Sequence, residues 1–167
     1  VTNNNGGIQL HISSNNTITD NVVGPNKYTG IFLHTSCNDN IVRANDVSDN
    51  GWDGLEIYYS MENIINDNTI ESNGDTGIRV SPASEDNVIY HNNLLDNGAN
   101  AYDQGKNTWY NDTLEQGNYW SDFDEASEGA YDNDSNVIID EPYNVLGNDN
   151  QDLYPLAMPW QLDNLAP

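Results

Sequence analysis

The chain has 167 residues, 27 acidic and 4 basic, and its formal charge of −23 excludes nucleic-acid binding through a basic patch, because phosphates would be repelled. Its ten tyrosines and four tryptophans exclude a disordered acidic tail, which would lack aromatic residues. No apolar stretch approaches the roughly 18 residues of a membrane-spanning helix, so no membrane span is predicted.

Asparagine recurs with a period of about 23 residues along most of the chain. The first series is Asn16, Asn40, Asn63, Asn87 and Asn107. The second lies five residues later, at Asn21, Asn45, Asn68 and Asn92. The third lies five residues later again, at Asn26, Asn50, Asn73 and Asn97, with Asn3 one repeat earlier. A fixed period of this length indicates a repeat protein.

Within each repeat, apolar and polar residues alternate with the period of two that is typical of β-strands. One predicted strand follows each of four glycines, namely Gly7, Gly30, Gly54 and Gly77. Two further short strands follow the first and second asparagine series. Strands this short must bury their apolar side against neighbouring repeats. The sequence therefore predicts an all-β fold, a right-handed single-stranded parallel β-helix of roughly four to five rungs.

The asparagines are interpreted as structural residues. Asn tolerates the left-handed αL conformation better than other residues with a Cβ, so we expect it at the corners of each rung. Its side-chain amide can also bond to the equivalent amide about 4.8 Å away, which predicts asparagine ladders along the axis.

The repeat fails after about Leu114, and an aromatic-rich segment follows. We divide the chain into β-helix repeats at 1–116 and a C-terminal cap at 117–167, with Trp109, Tyr119 and Trp120 buried at the last rung. Val1 falls within a repeat and no cap precedes it, so we expect upstream rungs of the same protein to pack on the first one.

The outward side of the strands after the glycines is the predicted binding face. Exposed aromatic rings beside polar groups suit a sugar chain, whose C–H faces stack on rings. The predicted substrate-binding residues are Tyr28, Phe32, His34, Trp52, Tyr58 and Arg79. The alternative is a solvated face with a Glu56–Arg79 pair between neighbouring rungs, which would contribute little at a surface.

Asp53, Glu56 and Asp75 are the candidate catalytic residues, since glycoside hydrolysis needs two carboxylates flanking the bond. Elimination from a uronic acid would instead need cations, and only four Lys and Arg residues are present. Whether the chain is an enzyme stays open; if it is, we expect a polysaccharide hydrolase or lyase.

The segment from Asp132 to Glu141 places oxygen ligands at alternate positions, as a calcium loop does. The predicted ligands are Asp132, Asp134, Asn136 and Asp140. The alternative is a plain acidic loop. No other cofactor is predicted.

The pattern N-x-I-x-x-N-x-I-x-x-N-x-x-x-G-I-x-L resembles the NosD-like family, also described as the CASH domain of carbohydrate-binding proteins and sugar hydrolases. The ending G-N-Y-W-S-D-F at 117–123, with D-L-Y-P-L at 152–156, is similar to the close of many archaeal surface members. The resemblance implies a secreted or cell-surface protein that acts on polysaccharide or is held near it.

The family is also associated with copper delivery to nitrous oxide reductase in the periplasm. Copper favours clustered His, Cys or Met. His11 and His34 share one outward column, which continues with Tyr58 and Ser81 and supplies no third ligand.

Three functions follow from these observations. The first is an extracellular or cell-surface module that binds polysaccharide or a cell-surface glycan as part of a larger carbohydrate-active protein. The second is a polysaccharide-degrading enzyme of which this is the β-helix portion. The third is a periplasmic copper-delivery protein.

Overall fold

The computed structural model describes residues 1–161, and six residues of the expected cap, 162–167, lie outside the described part. The strands in chain order are β1 (Ile8–His11), β2 (Thr17–Thr19), β3 (Val22–Val23), β4 (Ile31–His34), β5 (Ile41–Arg43), β6 (Asp46–Ser48), β7 (Leu55–Tyr58), β8 (Ile64–Asn66), β9 (Thr69–Glu71), β10 (Thr76–Val80), β11 (Glu85–Tyr90), β12 (Asn93–Leu95), β13 (Ala99–Asp103), β14 (Lys106–Thr108), β15 (Tyr119–Trp120), β16 (Tyr143–Asn144) and β17 (Gln151–Asp152). A short 3₁₀ turn covers Ala126–Glu128.

The first fifteen strands form a parallel solenoid of about five turns, which confirms the predicted fold class. Three five-stranded sheets run along it: β1-β4-β7-β10-β13, β2-β5-β8-β11-β14 and β3-β6-β9-β12-β15. Each strand pairs in parallel with its equivalent one rung later, so like residues stack on like. The cap adds the antiparallel pair β16–β17.

The core fills the interior of the coil with columns of apolar side chains, one or two per sheet. Each strand points alternate residues inward, as the period of two predicted. One column consists of Ile18, Val42, Ile65, Ile89 and Trp109, all buried. A second consists of Val23, Val47, Ile70, Leu94 and Trp120, also buried. Both columns therefore change from aliphatic side chains to a tryptophan at the last rung.

Glycine before the first strand of a rung is a steric requirement. A Cβ on Gly54 would lie 2.6 Å from the Cγ2 of Ile70 and 2.8 Å from the carbonyl oxygen of Gly77 on the next rung. No side chain fits at those distances, so the repeated glycine allows adjacent rungs to approach to strand spacing.

The asparagine ladders are present, and they link the rungs through side chain and backbone together. Asn45 illustrates the pattern: its Nδ2 and its backbone N–H both donate to the Oδ1 of Asn68, at 2.9 Å and 3.0 Å. Asn68 repeats both bonds to Asn92. Asn118 extends this second ladder to the fifth rung, which sequence spacing missed because the interval lengthens there to 26 residues.

Two details of the ladder predictions were wrong. At most corners the residue in the αL conformation is the one before the ladder asparagine, such as Asp67 with φ 59° before Asn68. The asparagine instead closes the turn, because its Nδ2 bonds the carbonyl two residues earlier, on Asn66. At the first rung, Asn4 rather than Asn3 donates its backbone N–H to the Oδ1 of Asn26, while the side chain of Asn3 bonds only to Thr2.

Each ladder ends on a carboxylate at the cap side. Asn107 donates to Asp103 at 2.9 Å and ends the first ladder. Asn118 ends the second with a backbone N–H bond of 2.7 Å to Asp152. The third ladder ends through one further amide, that of Asn100, which accepts from Asn97 and donates to Asp122 at 2.8 Å. Every column of amides thus finishes on a carboxyl group that accepts the last hydrogen bond of the ladder.

Two of these carboxylates also fix the tryptophans of the last rung. The indole N–H of Trp109 donates to Asp103, and that of Trp120 donates to Asp152, both at 2.9 Å. Burial raises the pKa of Asp152 to about 7, although the N–H groups that point at it act in the opposite direction. Burial raises the pKa of Asp103 as well.

The cap covers the last rung with aromatic contacts. Tyr143 stacks on Trp120 with ring centroids 3.8 Å apart and planes 14° apart. Further along, the backbone of Trp160 exchanges two hydrogen bonds with the side chain of Asn93, which attaches the C-terminal segment to the solenoid wall. The predicted burial of Trp109, Tyr119 and Trp120 is confirmed. Since β15 still pairs with β12, Tyr119 and Trp120 belong to the fifth rung itself.

Candidate functional site

The outward side of the β1-β4-β7-β10-β13 sheet carries two columns of side chains. In one column Gln9, Phe32, Glu56, Arg79 and Tyr102 occupy successive rungs. In the other, His11, His34 and Tyr58 follow one another. Ser81 was expected to continue this second column, but it is buried, where its Oγ accepts a bond from the backbone of Tyr59.

Aromatic rings gather at the first three rungs of this sheet. We call the surface formed by Tyr28, Phe32, His34, Trp52, Tyr58 and Tyr59 the aromatic face. Phe32 and His34 have ring centroids 4.9 Å apart, and His34 and Tyr58 stack at 5.5 Å. Five of the six predicted substrate-binding residues lie here.

Tyr59 was missed by sequence reasoning. It packs edge-on against Tyr58 with centroids 4.5 Å apart. Strict alternation would turn a residue after Tyr58 inward, but its φ of 47° turns the chain at that point and leaves the side chain exposed.

A groove of about 410 Å³ opens at one edge of the aromatic face. It is lined by Gly6, Gly7, Ile8, Gln9, Tyr28, Thr29, Phe32, Trp52 and Glu56. Tyr28 and Trp52 come from equivalent turns of adjacent rungs, and their ring centroids lie 4.6 Å apart. Trp52 is 55% exposed, unusually high for so large an apolar side chain.

Arg79 is held by two of the three candidate catalytic residues. Its Nε lies 3.0 Å from Asp53, and its terminal nitrogen lies 2.7 Å from Asp75. Asp53 is buried, and it also accepts the backbone N–H of Thr76. The Glu56–Arg79 pair of the alternative interpretation is not formed, because the guanidinium turns toward Asp53 and Asp75.

Glu56 is the only one of the three candidate catalytic residues that lines the groove. It is half-buried, and among residues 1–161 it forms no ion pair. Burial raises its pKa, and the nearby charge of Asp53 adds to the rise, while Arg79 acts in the opposite direction. The structure therefore separates the three candidate catalytic residues into an Arg79-bound pair and one unpaired glutamate.

The two outward histidines lie in contact. The Nδ1 atoms of His11 and His34 are 3.0 Å apart, and their rings stack with centroids at 4.9 Å. The remaining cysteine and histidine do not join them: Cys37 is fully buried, and His91 is buried with its Nε2 bonded to Gln116. Within the described part of the chain, no three His, Cys, Asp or Glu residues lie together as metal ligands would.

The four predicted calcium ligands lie in one surface loop of the cap: Asp132, Asp134, Asn136 and Asp140. Their oxygens mostly accept bonds from the loop itself. Asp132 accepts the backbone N–H groups of Asn136 and Val137, and Asp140 accepts the backbone N–H and the side-chain Nδ2–H of Asn133. The loop is thus closed by its own hydrogen bonds, and the calcium prediction gains no support from its geometry.

Comparison with known proteins gives one family match. The family model described as NosD, periplasmic copper-binding protein, matches residues 1–125. No curated protein and no solved structure matches the chain. Across residues 1–161, no helix has the length and apolar character needed to cross a membrane.

Proposed function

The chain belongs to the NosD family, and from this premise we propose that it is an extracellular or periplasmic β-helix module that binds polysaccharide along its aromatic face. One observation carries the proposal: the 410 Å³ groove walled by Tyr28, Phe32 and Trp52, with Gln9 and Glu56 beside them. Rings supply stacking surfaces for sugar C–H faces, and the polar groups meet hydroxyls. A parallel solenoid repeats these positions at strand spacing, which suits a polymer of repeated units.

We also propose the more specific family type and cellular location that the sequence resemblance implies. The chain is then a CASH-domain protein of the archaeal cell-surface type, secreted or held at the cell surface, with upstream rungs of the same protein packed on its first one. The closing motifs at 117–123 and 152–156 support this placement. The division into β-helix 1–116 and cap 117–167 belongs to the same proposal, as does calcium binding by the cap loop.

A degrading enzyme is the alternative for the same face. Hydrolysis would require two carboxylates free to act on the sugar, and Asp53 and Asp75 are both engaged by Arg79. Binding is therefore favoured over turnover. A reducing-sugar assay on each polysaccharide that binds separates the two.

Trp52→Ala is expected to weaken polysaccharide binding by about 10- to 100-fold, because it removes the most exposed stacking ring of the groove. The ligand is first found on a glycan array, and affinities are then measured by calorimetry with the soluble polysaccharide. Tyr131→Ala is the matched control, since Tyr131 is an aromatic residue of the cap that is 49% exposed and lies off the face. Equal affinity of Trp52→Ala and the control would contradict the proposal.

Copper binding is a second candidate function, favoured by the family description and by the contact between His11 and His34. Ring nitrogens 3.0 Å apart can share one ion at imidazole–metal distances of about 2.0–2.1 Å. Two imidazoles are fewer ligands than protein copper sites usually provide. The donor set present therefore fits copper incompletely, and this function ranks second.

His11→Ala is expected to abolish stoichiometric copper binding if this second function holds, because His34 alone is a single ligand. Calorimetric titration with copper salts measures it on the parent and the variant. Asn38→Ala, a polar change on the turn after His34, serves as the control. Binding that survives in His11→Ala, or that never appears in the parent, would exclude this pair as a copper site.

A further inference from the structure

We propose that the groove of the aromatic face recognises a positively charged amine, so that the preferred ligand is an amino-sugar polymer rather than a neutral or acidic one. This inference rests on the proposed polysaccharide binding and specifies its ligand. It follows from the groove's side chains taken together: three aromatic rings and one carboxylate without an ion-pair partner among the described residues.

Aromatic rings that surround a carboxylate are an arrangement that attracts ammonium groups. The faces of Trp, Tyr and Phe carry negative charge density and hold a cation within about 6 Å of the ring centroid. The chain itself provides an example at this place, since the Nζ of Lys27 lies 5.0 Å from the centroid of Tyr28. Trp52 and Phe32 remain for a ligand amine to contact.

Glu56 provides the counter-charge. It is half-buried beside Phe32, and burial makes its charged form costly until a cation pairs with it. Arg79 meets that need only in part: its charge favours the ionised form of Glu56, but Asp53 and Asp75 hold the guanidinium. A ligand ammonium in the groove would therefore complete an ion pair that the protein leaves open.

Acidic sugars fit this surface poorly. The formal charge of −23 repels a polyanion at long range. Of the four Lys and Arg residues in the sequence, Arg79 is paired twice, Arg43 lies 3.8 Å from Asp67 and Lys27 lies over Tyr28. The fourth, Lys106, lies on β14 in a different sheet. The groove lining contains no Lys, Arg or His side chain that could pair with a uronate carboxylate, and Glu56 would repel it.

The test compares three oligosaccharides of equal length on the whole chain: a fully deacetylated glucosamine oligomer, its N-acetylated counterpart and a galacturonate oligomer. Calorimetry at mildly acidic pH keeps the amines charged. We expect the glucosamine oligomer to bind about tenfold more tightly than the acetylated one, and the galacturonate oligomer not to bind. Glu56→Gln should remove that tenfold advantage, so that the variant binds the two oligomers about equally.

Non-specific attraction of a polycation to an acidic protein is the main competing explanation, and two controls address it. Glu71→Gln removes the same charge from an exposed position on β9, outside the face. An oligolysine of matched charge carries amines without sugar rings. The inference is overturned if Glu71→Gln weakens glucosamine binding as much as Glu56→Gln, or if oligolysine binds as tightly and is insensitive to Trp52→Ala.

The outcomes also separate this inference from the proposed function. If the acetylated oligomer, or another neutral glycan from the array, binds at least as tightly, the charge preference is wrong and polysaccharide binding stands. If no glycan of any class binds the parent, both proposals fall. Retention of the full glucosamine preference in Glu56→Gln overturns the role of this carboxylate.

Discussion

Asn68→Ala is expected to lower the free energy of unfolding by about 3 kcal/mol or more, a large effect for a polar residue. Asn68 is fully buried, and its Oδ1 accepts two bonds from Asn45. Its Nδ2 donates to Val42, Asn66 and Asn92. Truncation leaves the backbone N–H of Asn45 buried without its acceptor, and each such orphaned group costs about 1–3 kcal/mol.

The matched control is Asn66→Ala, two residues earlier. Its side chain faces outward and bonds only the neighbouring Asp67, so its loss should cost about 0.5 kcal/mol or less. Chemical denaturation followed by the fluorescence of Trp109 and Trp120 measures both variants. Equal losses of unfolding free energy in the two variants would mean that the asparagine ladders add little stability beyond strand pairing. The structural role given to the ladders would then be wrong.

Trp120→Ala is expected to cost about 3–5 kcal/mol and to promote self-association. The side chain is fully buried at the end of an apolar column, its ring stacks on Tyr143, and its indole N–H bonds Asp152. Removing it opens a cavity, exposes the last rung to solvent and takes one donor from a buried carboxylate. Thermal unfolding and light scattering report the two effects separately.

Two further variants show which interaction matters. Trp120→Phe keeps an aromatic ring in the stack and loses the indole donor, so the free energy of unfolding should still fall by about 1–3 kcal/mol. Trp52→Ala removes a tryptophan that is 55% exposed and should change stability by about 0.5 kcal/mol or less. A Trp120→Ala variant that melts like the parent and stays monomeric would show that the cap does not protect the end of the solenoid.

The wall of the solenoid was predictable because it repeats. The asparagine period set the strand register, the apolar alternation set which residues face inward, and both are confirmed from Asn16 to Asn107. The αL position was misplaced by one residue, since the residues found there include Asp, Glu, Ser and Ala, which carry no common signal.

The aromatic residues of the candidate site could be predicted from the sequence, whereas the ion pairs of its charged residues could not. The aromatic residues fall at repeated positions, so their shared face follows from the period alone. Arg79 has a long side chain that can reach several acceptors, and the sequence could not indicate that it turns toward Asp53 and Asp75 instead of Glu56. Asp152 was missed altogether, because it lies 34 residues beyond its partner Asn118 in a region without repetition.

The ladders also have a direction, with a consequence for assembly. Each amide accepts from the rung before and donates to the rung after, so the aligned side chains behave as a stack of parallel dipoles with the positive end at the cap. The carboxyl oxygens of Asp103, Asp122 and Asp152 accept hydrogen bonds at that end, as acidic residues do at the start of a helix. The side-chain oxygens of a further rung docked at this end would need N–H donors, and they would meet carboxyl groups instead. The unpaired edge of a parallel sheet can pair with another chain and so lead to polymerisation. At the cap side this edge is blocked by carboxyl groups as well as by aromatic packing.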